Sequence, residues 1–93
     1  MANVNMMNKI NLALTRVKLT DKLFFTQNLS LMVKSGISLA RALDSLSQQT
    51  ENITMRFVLD DIKERVKKGE SLANAMRNHK KVFSDIFVSF PKN

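Results

Sequence analysis

Two eight-residue stretches of this 93-residue chain are near-copies of each other, and they constrain its fold more than any other feature. Gly36-Ile37-Ser38-Leu39-Ala40-Arg41-Ala42-Leu43 and Gly69-Glu70-Ser71-Leu72-Ala73-Asn74-Ala75-Met76 share the pattern Gly-x-Ser-Leu-Ala-x-Ala-Leu/Met, 33 positions apart. Each reads as the end of one helix and the start of the next. Glycine takes the left-handed conformation that closes a helix without the steric cost other residues bear. Two positions on, the serine hydroxyl can accept from a free amide of the following first turn. Leu and Ala then supply strong helix formers, the Ala small enough to let neighbouring helices approach. Gly36, Ser38, Gly69 and Ser71 are therefore expected to be helix corners.

Helical patterning fills the spans between these corners. A first helix is predicted from about residue 21 to 35, with Thr20 as N-cap, Phe25, Leu29 and Met32 as its apolar stripe, and Phe24 and Leu31 widening that stripe. A second, from about 39 to 49, places Leu39, Ala42, Leu43 and Leu46 on one face, and the polar run from Gln48 to Asn52 follows it. A third, from about 53 to 68, buries Met55, Leu59, Ile62 and Val66 and pairs Asp61 with Arg65 and Glu64 with Lys68 on its outer side. A shorter fourth covers about 72 to 78. A fifth begins near Ser84 and carries Ile86, Phe87 and Phe90, with Phe83 just ahead of it, before Pro91 discourages more helix. With two Gly and one Pro in all, the chain lacks the turn residues of a β-sandwich. The fold class expected is all-α: a small antiparallel bundle of four to five helices joined by Gly-x-Ser corners. Residues 20–93 form that domain, and residues 1–19 precede it as a flexible or weakly helical arm. In the arm Val4, Met7, Ile10, Leu14 and Val17 recur at helical spacing.

The residue inventory argues against catalysis. There is one His, no Cys, no phosphate-cradling glycine loop and no His or Cys at metal-ligand spacing. His79 stands in a polar basic stretch and is expected to be solvated or to form a cap. Asp60, Asp61 and Glu64 could gather around a hard cation, but the flanking Lys63, Arg65, Lys67 and Lys68 favour ion pairing along the helix. Capping accounts for Ser38 and Ser71, which have no neighbouring base. No cofactor and no metal are expected. Met32, Met55 and Met76 are first of all core filler.

Fifteen Lys and Arg against eight Asp and Glu give a net charge of +7, which attracts polyanions. Lys63, Lys67, Lys68, Arg77, Lys80 and Lys81 are the candidate basic docking surface, for an acidic partner or phospholipid head groups, beside the alternative of a simply solvated face. With no Tyr or Trp and no aromatic interleaved among these cations, base stacking has no platform, and nucleic acid is not the expected partner. A small basic helix-turn-helix regulator remains the alternative function, since the segment around Ser38 could pass for such a turn. Its would-be recognition helix, however, offers only Arg41, Gln48 and Gln49 with Asp44 between them. The apolar C-terminal segment, Phe83, Ile86, Phe87 and Phe90, is the candidate partner or dimer surface.

Phe24-Phe25-Thr26-Gln27-Asn28-Leu29, the run from Ser35 to Leu43, Gln49-Thr50-Glu51-Asn52, Ile62-Lys63-Glu64-Arg65-Val66, the run from Lys68 to Met76 and His79-Lys80-Lys81-Val82-Phe83 occur in an order and at gaps with a family likeness. Over about residues 20–90 the chain resembles the cytoplasmic domain of the bacterial type II secretion F and type IV pilus platform proteins, which are polytopic in the inner membrane. The resemblance implies a non-enzymatic helical module on the cytoplasmic side of that membrane. It would help couple an assembly ATPase and other platform components to extrusion of a pilin or pseudopilin fibre. It also implies a tendency to homodimerise. The family's domain continues past the Val-Phe segment through further helix, so the expectation is of a domain truncated relative to the family, whose last apolar segment is covered by a second copy.

Overall fold

A computed structural model describes residues 16–89, with side chains over residues 16–84. Among the described residues five helices follow one another: α1 Leu19–Lys34, α2 Leu39–Gln49, α3 Ile53–Lys67, α4 Leu72–Arg77 and α5 Lys80–Ser89. The fold is a small all-α bundle.

Both repeated stretches are corners, and the two share one geometry. Gly36 has φ +94° and Gly69 φ +102°. At the first corner the Ile37 amide donates to Met32 C=O and the Gly36 amide to Val33 C=O, each at 3.0 Å; at the second, Glu70 donates to Arg65 and Gly69 to Val66, also at 3.0 Å. These paired bonds return the last carbonyls of α1 and α3 to the turn, closing both helices by the same motif. Ser38 Oγ then accepts from the Arg41 amide at 3.3 Å, and Ser71 Oγ from the Asn74 amide at 3.1 Å, opening α2 and α4.

The corners fold α2 back on α1 and α4 back on α3. Between α2 and α3 the reversal is made by Thr50 to Asn52, where Asn52 Oδ1 caps α3 by accepting from the Met55 amide at 2.9 Å. Lys63 lies on Asp44 at 3.1 Å, and the Ser47 hydroxyl donates to Asp60. As one helix advances three residues the other retreats three, so α2 and α3 run antiparallel. That register, carried to the helix ends, sets Ser38 level with Gly69 and brings both corners to one end of the bundle.

The core is Phe25 and Leu29 of α1, Ala42, Leu43 and Leu46 of α2, Met55, Val58, Leu59 and Ile62 of α3, Ala75 and Met76 of α4, and Phe83 of α5. Val17, Met32, Leu39, Val66, Leu72 and Val82 pack partly buried against it. Helix α2 lies between α1 and α3 with Leu43 and Leu46 fully enclosed, so it is a central packing helix and is not presented as a recognition helix.

Several expectations need correction. Thr20 does not cap α1. The helix begins at Leu19, and the Asp21 carboxylate reaches back to accept from the Lys18 amide at 3.0 Å, an acid three residues into the helix doing the capping. Phe24 and Leu31 do not widen the core stripe; they are 44% and 63% exposed, because α1 is apolar on both sides and only one side meets α2. Glu64 pairs with Lys67 at 3.9 Å and Lys63 at 4.0 Å rather than with Lys68, whose backbone already forms the cap of α3. Helix α5 starts at Lys80, not near Ser84, since the His79 carbonyl accepts from the amides of Val82 (3.0 Å) and Phe83 (3.1 Å). Residues 16–18 are docked: Asn52 Nδ2 donates to Arg16 C=O at 2.8 Å, and Val17 packs on the core. Val4, Met7, Ile10 and Leu14 lie outside the described residues.

Candidate interaction surfaces

Phe83 belongs to the core and not to a partner surface. It is fully buried, and its ring stands 5.7 Å from that of Phe25 at an interplanar angle of 38°. That tilted aromatic contact holds α5 against α1, the two ends of the described chain, and so closes the bundle. Ile86 and Phe87 fall within α5 but beyond the described side chains, and Phe90 lies outside the described residues.

The apolar surface among described side chains is elsewhere. Leu19, Leu23 and Leu31 recur at multiples of four along α1, on the side opposite Phe25 and Leu29, and are 53%, 44% and 63% exposed; Phe24 flanks them. On α3, Ile53 and Phe57, one turn apart, are likewise more than half exposed. A helix with a stripe of this kind on each side is suited to lie between two bodies. The sequence carried a sign of it, since residues 23–25 and 31–33 are apolar runs too dense for a single helical face.

The six basic candidates divide. Lys63 is no docking cation: its ammonium lies 3.1 Å from Asp44, 3.9 Å from Asp60 and 4.0 Å from Glu64, with the side chain largely covered. The hydrogen bond to Asp44, opposed by partial burial and aided by the three surrounding charges, holds its pKa above the ordinary lysine value. Lys67 is exposed and loosely paired with Glu64 at 3.9 Å. Arg77 donates to the Asn74 side-chain carbonyl, a neutral partner that leaves its charge in place. Lys68, Lys80 and Lys81 are exposed, and none has an ion pair among the described residues.

A chain of polar contacts behind this surface was not legible in the sequence. Asp61 Oδ2 accepts from Arg65 Nε at 2.9 Å and lies 2.7 Å from His79 Nε2. An ionised carboxylate can only accept, so the imidazole proton sits on Nε2. Arg65 also reaches Glu70 in the second corner at 3.6 Å, where Glu70 Oε2 is buried without a hydrogen-bond partner among the described residues. The Arg65 hydrogen bond, opposed by desolvation and aided by His79, draws the Asp61 pKa below the ordinary aspartate value. His79 is thus neither solvated nor a side-chain cap; it ties the α4–α5 junction to the middle of α3. Asp60, Asp61 and Glu64 are each engaged by hydroxyl, guanidinium, imidazole or ammonium groups.

The described residues form a corner-built α-helical bundle with ion-paired carboxylates, exposed apolar side chains and a fringe of cations. The model of the type II secretion system (T2SS) protein F family matches residues 25–90, from Phe25 in the core of α1 to beyond the end of α5, and the chain belongs to that family. Its relatives include type IV pilus assembly proteins PilC. That of Myxococcus xanthus is 37% identical over 68 residues, covering 73% of this chain and 16% of the relative. Those of Pseudomonas aeruginosa and Thermus thermophilus are 32% and 34% identical over 74 and 71 residues, covering 80% and 76% of this chain but 20% and 17% of the relatives. The chain therefore spans a fifth or less of the length of these proteins. No solved structure matches it.

Proposed function

We propose that residues 20–93 serve as a non-catalytic interaction module of a type II secretion or type IV pilus assembly platform, on the cytoplasmic side of the bacterial inner membrane. In this reading the module meets a cytoplasmic assembly ATPase and other platform components and helps pass their work to extrusion of a pilin or pseudopilin fibre. The observation that carries it is the two-sided apolarity of α1, with Leu19, Leu23 and Leu31 open on the side away from the core, in a chain matched to the family over residues 25–90. A scaffold role is also supported by how the titratable groups are used: Asp61, Arg65 and His79 spend their hydrogen bonds on one another. No helix among the described residues is long and apolar enough to cross a membrane, which fits a module borne beside the spanning segments of a longer protein.

Titration of the 93-residue chain, and separately of the full-length protein, with the cognate assembly ATPase tests this reading. Binding by both is expected. Failure of both to bind contradicts it. A homodimer is part of the same proposal, and sedimentation equilibrium at high micromolar concentration should show it; a monomer under those conditions removes that part alone.

A further inference from the structure

Between Glu70 and Asp85 the sequence contains no acid, and over that stretch and its approach stand Lys68, Arg77, Lys80 and Lys81, all exposed. Among the described side chains, the acids of α3 and the second corner are already engaged. Asp61 is held by Arg65 and His79, Glu64 by Lys63 and Lys67, and Glu70 by Arg65. Helix α4 is six residues long, about 9 Å at the ordinary helical rise. Lys68 stands at the end of α3, just before the second corner, and Arg77, Lys80 and Lys81 follow at and after the end of α4.

What this face lacks is as informative as what it carries. Every large apolar side chain exposed among the described residues lies at or before Phe57; here Met76 and Phe83 are buried, and Leu72 and Val82 partly so. A lipid surface would be met by cations with apolar side chains to insert beside them, and a single nucleic-acid strand by cations with exposed aromatic rings. Among the described residues neither accompanies these cations.

We propose that Lys68, Arg77, Lys80 and Lys81, set along α4 and its two flanking turns, form the docking surface for an acidic polypeptide segment of a partner protein. The inference rests on the interaction-module reading and names the chemistry of one of its partners. Charges arranged in this way steer encounter and select the partner by sign. Its grip is therefore expected to weaken steeply with salt.

The test uses the isotope-labelled 93-residue chain titrated with a ten-residue polyglutamate peptide and followed by amide NMR shifts. Shifts centred on residues 67–68 and 77–81 are expected, with affinity falling as salt is raised. The K68E/R77E/K80E/K81E variant should lose at least tenfold in affinity, while K18E/K34E/R41E/R56E, with the same change in net charge elsewhere, should lose less than threefold. Glutamine at the same four positions, checked by circular dichroism, keeps the test valid if the reversed charges unfold the chain. Equal losses in the two sets, shifts centred elsewhere, or tighter binding of phosphatidylglycerol vesicles or duplex DNA through these residues would overturn the proposal. Wild-type binding of the ATPase undiminished by the four substitutions overturns this surface as its dock and leaves the module reading standing; no binding of wild type in either form strikes the module reading itself.

Discussion

At Gly36 and Gly69 the demand on the residue is one of backbone angle alone. Both stand at φ near +100°, and a methyl group added at either position would meet nothing within 4 Å. Replacing Gly69 or Gly36 by Ala should therefore cost about 1–2 kcal/mol each, the left-handed strain with no packing penalty added. Asn should cost less than Ala, since it tolerates that region better. Urea unfolding measures both, and an alanine variant as stable as wild type would show that the corner does not need the positive φ. Asp61 makes a different kind of prediction. Its pKa is depressed in the folded chain, so its ionised form contributes stability above the ordinary aspartate value of 3.8, and that contribution is lost as pH falls through the folded value. Asn keeps the shape and removes the charge. The wild type should exceed D61N in stability at neutral pH, and the gap should close on acidification below about 4, as read by thermal unfolding across pH. A gap that stays constant down to pH 2 would mean the carboxylate is not ionically engaged.

Among the elements, α5 depends most visibly on a single side chain. Phe83 is the described residue that carries α5 into the core, against Phe25 of α1, and Phe83→Ala should cost about 3–5 kcal/mol. Amide exchange should then quicken in α4 and α5 before the α2–α3 pair, which is tied by Lys63–Asp44 and Ser47–Asp60. Uniform quickening would contradict this ordering. Helix α1 offers a paired comparison: Leu29→Ala should cost about 2–5 kcal/mol, whereas Leu31→Ala, on the open side, should change stability by no more than about 0.5. These two helices also mark where sequence reasoning reached and where it stopped. The bounds of α2, the core stripe of α3 and both corners were legible because local chemistry decides them: a glycine's φ, a serine's hydroxyl, a period of 3.6. Which side of α1 stays open was not, because dense apolar runs show two apolar sides but look alike whichever side finds a partner. Nor was the start of α5, where no Gly or Pro marks the turn at Asn78 and His79. His79–Asp61 and Lys63–Asp44 join residues 18 and 19 positions apart, and only the packed helices bring them together.

At the scale of the whole molecule, the corners order everything else. They fold α2 back on α1 and α4 back along α3, while the turn at Thr50 to Asn52 sets α3 antiparallel to α2, and Lys68 is left at one end of α4 with Arg77, Lys80 and Lys81 at the other. Among the described residues, exposed large apolar side chains fall on α1, the first corner and the start of α3, and the exposed cations of the second hairpin fall beyond them. The described residues thus present two surfaces of different chemistry. The most direct measurement of this arrangement is the distance between spin labels, for which the absence of native cysteine leaves the chain ready. Labels at Arg41 and Lys68 should lie about 10 Å apart across neighbouring helices, beyond the flexibility of the labels themselves. Labels at Glu51 and Lys68 should be separated by the length of the fifteen-residue α3, about 22 Å. The account predicts that the first distance is clearly the shorter; a longer first distance, or two equal ones, would contradict the antiparallel register of α2 and α3 that brings the two corners to one end of the bundle.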